Sequence, residues 1–145
     1  MATTAIKAVK KWMQRGWQLE KEIRALMETK EQLKADAYRI TGSVSRAKVQ
    51  TSRGKGAENV WARLADFDKR ITARIDELCA IKAEITDAIS CVSDSEWRAI
   101  LQMRYVNFEK WDKIADMVHC DRATAFRIHD RALEDVATRC DYILW

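Results

Sequence analysis

The 145-residue chain has no proline and only four glycines, three of which (Gly42, Gly54 and Gly56) crowd into one short interval. Most of the sequence therefore lacks the residues that break helices. No apolar run approaches the length that spans a bilayer, and the first residues, MATTAIKAVKKWMQRGW, lack the apolar centre of a signal peptide. A cytoplasmic protein with no membrane partner is the expectation. The cysteines Cys79, Cys91, Cys120 and Cys140 show no CxxC spacing, and His119 and His129 do not complete a zinc quartet with them. Neither metal nor cofactor is expected, and four reduced thiols are the default in an intracellular chain. No Ser-His-Asp set, pocket-forming carboxylate pair or glycine-rich phosphate loop can be assembled, so the sequence does not read as an enzyme and offers no catalytic residue.

What the chain has is helix-forming, charged and apolar residues: 48% are hydrophobic and 33% charged. From about Thr4 to Ile40, Trp12, Leu19, Leu26, Leu33 and Ile40 recur at every seventh position, with Val9, Gly16, Ile23, Lys30 and Ala37 interleaved. That repeat predicts one long helix with a coiled-coil seam, closed by Gly42 just beyond its end. Residues 41–57, rich in glycine, serine and uncompensated basic side chains, predict a flexible basic loop that serves as a connector or as an accessory arm for nucleic acid.

From Glu58 to Val92 the repeat resumes at Leu64, Ile71, Leu78, Ile85 and Val92. Trp61, Ile75 and Ile89 widen its stripe, so this helix has apolar surface for more than one neighbour. Two helices of matched length about one loop predict an antiparallel hairpin over 1–92. Folding about the loop sets Lys30 near Asp66 and Asp68, and Arg74 near Glu22 and Glu28. Charges at seam positions can fix register.

Ser93, with Glu96 three residues on, has the spacing of a capping box and predicts a new helix carrying Trp97, Ile100, Leu101 and Tyr105. Next, Trp111, Ile114, Ala115 and Val118 predict a two-turn helix, His119-Cys120-Asp121 a turn with Asp121 as N-cap, and Ala125, Ile128, Ala132, Leu133 and Val136 the apolar face of a longer helix over 122–137. The fold class is therefore all-α, a hairpin followed by a C-terminal three-helix helix-turn-helix domain over 93–145. In such a unit the second helix enters a DNA major groove. Off its apolar face lie Arg122, Thr124, Arg127 and Arg131, suited to phosphates and base edges. Phe126, with no evident packing role, could meet a thymine methyl. His129, beside the core face, reads as a packing residue.

Charge complicates this reading. Lys and Arg against Asp and Glu number 9 to 5 in residues 1–40, 4 to 0 in 41–57, 5 to 7 in 58–93 and 8 to 10 in 94–145. The expected DNA reader is slightly acidic, and the basic surplus lies upstream. Either its arginines gather on one face or another segment helps to hold DNA.

The run Trp97…Ile100-Leu101…Arg104-Tyr105, then Trp111…Ile114-Ala115, then Arg127-Ile128-His129…Arg131-Ala132-Leu133 resembles the region-4-like helix-turn-helix of sigma-70-type factors. More closely, the layout resembles small phage and prophage transcriptional regulators of the RinA/ArpU-like group, with residue-level matching from about Ala57 to Val136. The turn position that such units usually give to glycine is His119 here, and the position before Trp111 is Lys110. The resemblance implies activation of phage late genes in a bacterial host, through promoter DNA and RNA polymerase. Carried over by position, it implies base contacts from Arg122, Thr124, Phe126 and Arg127 and phosphate contacts from Lys110, Lys113 and Arg131. A symmetric operator would require a homodimer, which the hairpin could supply. Two other functions fit the layout: a phage small terminase subunit, and a module that docks on RNA polymerase or another protein without touching DNA.

Overall fold

The structure, a computed structural model, describes residues 2–46 and 51–144. It is all-α. Six α-helices, α1 Ala2–Met13, α2 Arg15–Arg46, α3 Thr51–Ser90, α4 Ser95–Tyr105, α5 Trp111–Met117 and α6 Arg122–Arg139, are followed by a 3-10 turn over Asp141–Leu144. No described helix is long and apolar enough to cross a membrane.

The long helix expected from Thr4 to Ile40 is broken at Gln14. Arg15 Nε donates to the Trp12 carbonyl at 3.0 Å, and the Trp17 N–H donates to the Gln14 carbonyl three residues back. The break follows from packing. Gly16 is buried against Phe108, and a Cβ there would stand 3.2 Å from Phe108 Cζ.

The other end of that helix also differs from expectation, because α2 runs through Gly42 to Arg46 and α3 begins at Thr51. An interior glycine costs a helix only about 1 kcal/mol, less than ending a helix that no proline stops. The loop expected over 41–57 is thus helical at both ends; residues 47–50 lie outside the described residues.

Two compact units divide the chain: Leu19–Glu77, and Met1–Gln18 together with Leu78–Trp145. They cut across the boundary expected at residues 92 and 93. In the first unit, α2 and α3 run antiparallel. Glu22 Oε1 meets Arg74 Nε at 3.0 Å, Lys30 Nζ meets Asp68 Oδ1 at 2.5 Å, and the Tyr38 and Trp61 rings lie 5.7 Å apart, so partner numbers fall on α3 as they rise on α2. The expected register partners are thus Asp68 rather than Asp66, and Glu22 rather than Glu28; Glu77 is a second partner of Arg74. Leu19, Ile23, Ala37, Leu64 and Ile71 form the buried seam.

In the second unit the main core joins Val9 and Met13 of α1 to Ile85, Ala88 and Ile89 of α3, Leu101 and Tyr105 of α4, and Ala132, Leu133 and Val136 of α6. A smaller cluster, Ile100, Met103 and Ile114, is closed by Trp111, Val118 and Ile128. Each fully buried Leu or Ile contributes roughly 1.5–3 kcal/mol relative to exposure. Helix α1 therefore belongs to the packing of α6, a docking that the heptad pattern does not convey. Ile143 of the final turn also packs back into this core.

The N-cap of α4 is Asp94, one residue after the expected Ser93. Asp94 Oδ1 accepts the N–H groups of Glu96 at 2.9 Å and Trp97 at 3.1 Å. The carbonyls of Ser93 and Val92 instead accept from Arg98 Nη1.

Candidate nucleic-acid interface

The turn between α5 and α6 is closed by backbone chemistry. Helix α5 ends at Val118, and His119 adopts a left-handed φ of 56°. Its N–H donates to the Asp116 carbonyl at 3.3 Å, and the Cys120 N–H donates to the Ala115 carbonyl at 3.1 Å. This is the two-bond Schellman ending, which satisfies carbonyls that a helix end leaves unpaired. Histidine tolerates the left-handed region better than most residues other than glycine.

Asp121 then caps α6 as expected, accepting the Thr124 N–H at 2.9 Å. Hydrogen bonds from Thr124, its side chain foremost, hold the Asp121 carboxyl below the usual carboxylate range. Ala115 of α5 and Ala125 of α6 are both buried.

With Ala125, His129, Ala132, Leu133 and Val136 inside, helical geometry turns Arg127 and Arg131 outward on α6. Arg122, Phe126, Arg127, Arg131, Lys110 and Lys113 are all exposed, while Thr124 is half-buried. Several of these side chains already have neighbours. Arg122 Nε lies 3.4 Å from Asp112 Oδ1, Lys113 Nζ lies 3.0 Å from Glu109 Oε1, and Arg127 Nη2 donates to Thr124 Oγ1 at 3.1 Å. Thr124 thus serves both the cap and the placement of Arg127.

Phe126 does have a packing role, contrary to expectation. Its ring centroid is 4.5 Å from that of Trp111, and the Arg122 guanidinium lies 5.8 Å from its ring centre. Trp111 in turn meets His129 edge-on at 4.9 Å and carries the Arg104 guanidinium 5.0 Å over its ring. Arg104 also lies 4.5 Å over Trp17 and donates to the Glu109 carbonyl. Burial lowers its pKa.

His129 is buried and stacks on Tyr105, with Nε2 2.5 Å from the Tyr105 hydroxyl and Nδ1 3.2 Å from Asp130 Oδ1. A cleft of about 350 Å³ opens beside these groups, lined in part by Lys10, Arg104, Phe126, His129 and Asp130. Lys10 is the residue that sequence reasoning missed. With Lys7 and Lys11 it is an exposed cation of α1, in the same compact unit as α6. The upstream basic surplus hinted at it, but nothing local to Lys10 places it near residues 119 positions further along.

The arrangement is an all-α protein with a short helix, a capped turn and a longer helix whose outward face is rich in arginine. The chain belongs to the family described as Protein of unknown function (DUF1492), whose model matches residues 39–137. Neither the curated proteins nor the solved structures contain a match to it.

Proposed function

We propose that this protein is a sequence-specific DNA-binding transcriptional regulator that lays α6 in a major groove. One observation carries the reading. The α5 turn, fixed by His119 and the Asp121 cap, holds α6 with its small and apolar side chains inward and Arg122, Arg127 and Arg131 exposed. Donor-rich side chains on the first half of such a helix suit guanine and adenine edges. Arg127 and Arg122 are the base readers. Lys110, Lys113 and Arg131 are the phosphate contacts, and Lys7, Lys10 and Lys11 of α1 add the charge that the C-terminal region lacks.

The resemblance to RinA/ArpU-like regulators and to sigma-70 region 4 supports a phage late-gene activator working in the bacterial cytoplasm beside RNA polymerase. A protein partner is the second reading. Asp112 and Glu109 already pair with Arg122 and Lys113, and Asp130 stands beside Arg131, so the face is mixed rather than uniformly basic.

The test is binding of the full chain to fragments of its own genome across a salt series. One tight fragment with a steep salt slope supports the regulator. Equal, weak binding to every fragment, or none, favours the protein-partner reading, and a large ring-shaped complex would favour the terminase.

A further inference from the structure

Six large apolar side chains are markedly exposed among the described residues: Met27, Tyr38, Trp61, Ile75, Met117 and Phe126. The first four belong to the Leu19–Glu77 unit, and helical geometry puts them on one face of it. Met27 and Tyr38 are eleven residues apart on α2, about three turns, and so point the same way. Trp61 and Ile75 are fourteen apart on α3, about four turns. Each pair lies roughly a quarter-turn from its own buried seam. Because α2 and α3 are antiparallel, both pairs flank the seam on the same side, as the Tyr38–Trp61 ring contact requires. The Glu22–Arg74 pair, a quarter-turn the other way, marks the opposite face.

We infer that this face is a homodimer interface, on which a second copy of the chain packs to make an antiparallel four-helix bundle. Three observations favour a second copy over another occupant. First, two helices alone enclose little: five side chains, Leu19, Ile23, Ala37, Leu64 and Ile71, are the buried apolar groups described in this unit. A layer of helix needs a second layer to hide its remaining apolar stripe.

Second, the face matches itself. It has an aromatic end, Tyr38 with Trp61, and an aliphatic end, Met27 with Ile75. A two-fold axis lying across the hairpin sets the aromatic end of each copy on the aliphatic end of the other, as an isologous contact demands. Methionine on aromatic rings is favourable in its own right. Between the ends, Lys30 and Asp68 form an ion pair within one chain, and exposed Glu31 and Lys34 supply one charge of each sign on α2. Third, the size suffices. A face about 30 Å long and about 20 Å wide offers roughly 600 Å² per copy, the lower end for specific interfaces. A dimer that dissociates on dilution follows.

The inference stands apart from the DNA reading, since none of these residues lies in α5 or α6. The experiment measures the mass of the full-length protein in solution from micromolar concentration upward, for the native chain, for Trp61→Lys/Ile75→Lys and for Lys69→Glu, which alters the outer side of α3. Twice the chain mass is expected for the native protein and for Lys69→Glu. For the double variant the chain mass is expected, with its helical circular dichroism retained. A native monomer at all concentrations, or a dimer that the double variant leaves intact, overturns the inference. Should the double variant lose its helicity, lysine cross-linking of mixed isotope-labelled and unlabelled native protein decides. Heavy-to-light links between Lys30 and Lys34 are expected, and intermolecular links confined to residues outside 19–77 overturn it.

Discussion

The Tyr105 hydroxyl and His129 Nε2 stand 2.5 Å apart inside the C-terminal unit, tying α4 to α6 through two rings stacked 5.6 Å apart. Burial pushes the Tyr105 pKa far above its ordinary value and keeps the hydroxyl protonated, while the Asp130 carboxylate beside Nδ1 draws the neutral imidazole's proton to that nitrogen. His129 is therefore the acceptor, neutral at Nε2, with its other nitrogen turned to Asp130. A histidine whose charged form is disfavoured by burial makes the fold sensitive to acid.

Burial, chiefly, lowers the His129 pKa to about 4 against the opposing pull of Asp130. In the unfolded chain a histidine titrates near about 6.5. Between those values the unfolded state binds more protons than the folded one, so stability rises with pH. The contribution is complete above about pH 6.5 and is lost as pH falls to about 4, on the order of 3 kcal/mol. Urea unfolding at a series of pH values should show that slope in the native protein and a much flatter one in His129→Gln. Identical slopes would remove His129 as the source.

The start of α4 separates two plausible caps. Ser93→Ala should change stability by less than about 0.5 kcal/mol, because its side chain makes none of the described cap bonds. Asp94→Ala removes the acceptor of two N–H groups and should cost about 1 kcal/mol. Thermal unfolding of the two variants checks this. A larger loss for Ser93→Ala would restore the capping-box reading.

At the turn, His119 holds a φ of 56° in which a Cβ is strained and glycine is not. His119→Gly should therefore stabilise by about 0.5–1 kcal/mol, offset in part by the entropy of glycine in the unfolded chain. His119→Val, branched at Cβ, should destabilise by more than that. Denaturant midpoints for both variants are the readout, and a stabilising valine would contradict the left-handed turn.

These sites show which parts of the fold can be read from a linear pattern. The seam residues Leu19, Ile23, Leu64 and Ile71 were legible because seven-residue spacing encodes one face of a helix, and they are buried. The Asp121 cap and the His119 turn were legible because both rest on neighbours within a few residues. Ser93 misled because both it and Asp94 are good caps, and Glu96 three residues after Ser93 supplied a spacing that the backbone does not use. Gly42 misled because a glycine in a helix interior costs too little to end it. Gly16 appeared as a mere gap in the heptads, whereas its lack of a side chain admits Phe108. Two features depend on long-range packing and left no local trace: the docking of α1 on the C-terminal unit, and the seat of Phe126 on Trp111.

That docking gives α1 a distinct part in the proposed DNA contact. Arg127 points outward from α6 and is held through Thr124, the geometry of a base reader, so Arg127→Ala should cost roughly 1–3 kcal/mol on the preferred sequence and little on random DNA. Lys10, on α1 and beside the cleft of Phe126 and Asp130, takes the part of a phosphate contact in this proposal. Lys10→Ala should weaken specific and random DNA alike and lower the salt slope by about one. Fluorescence anisotropy with both DNAs at several salt concentrations distinguishes the two. Equal losses for both variants on both DNAs would abolish the division between reader and anchor, and an unchanged Lys10→Ala would remove Lys10 from the proposed contact.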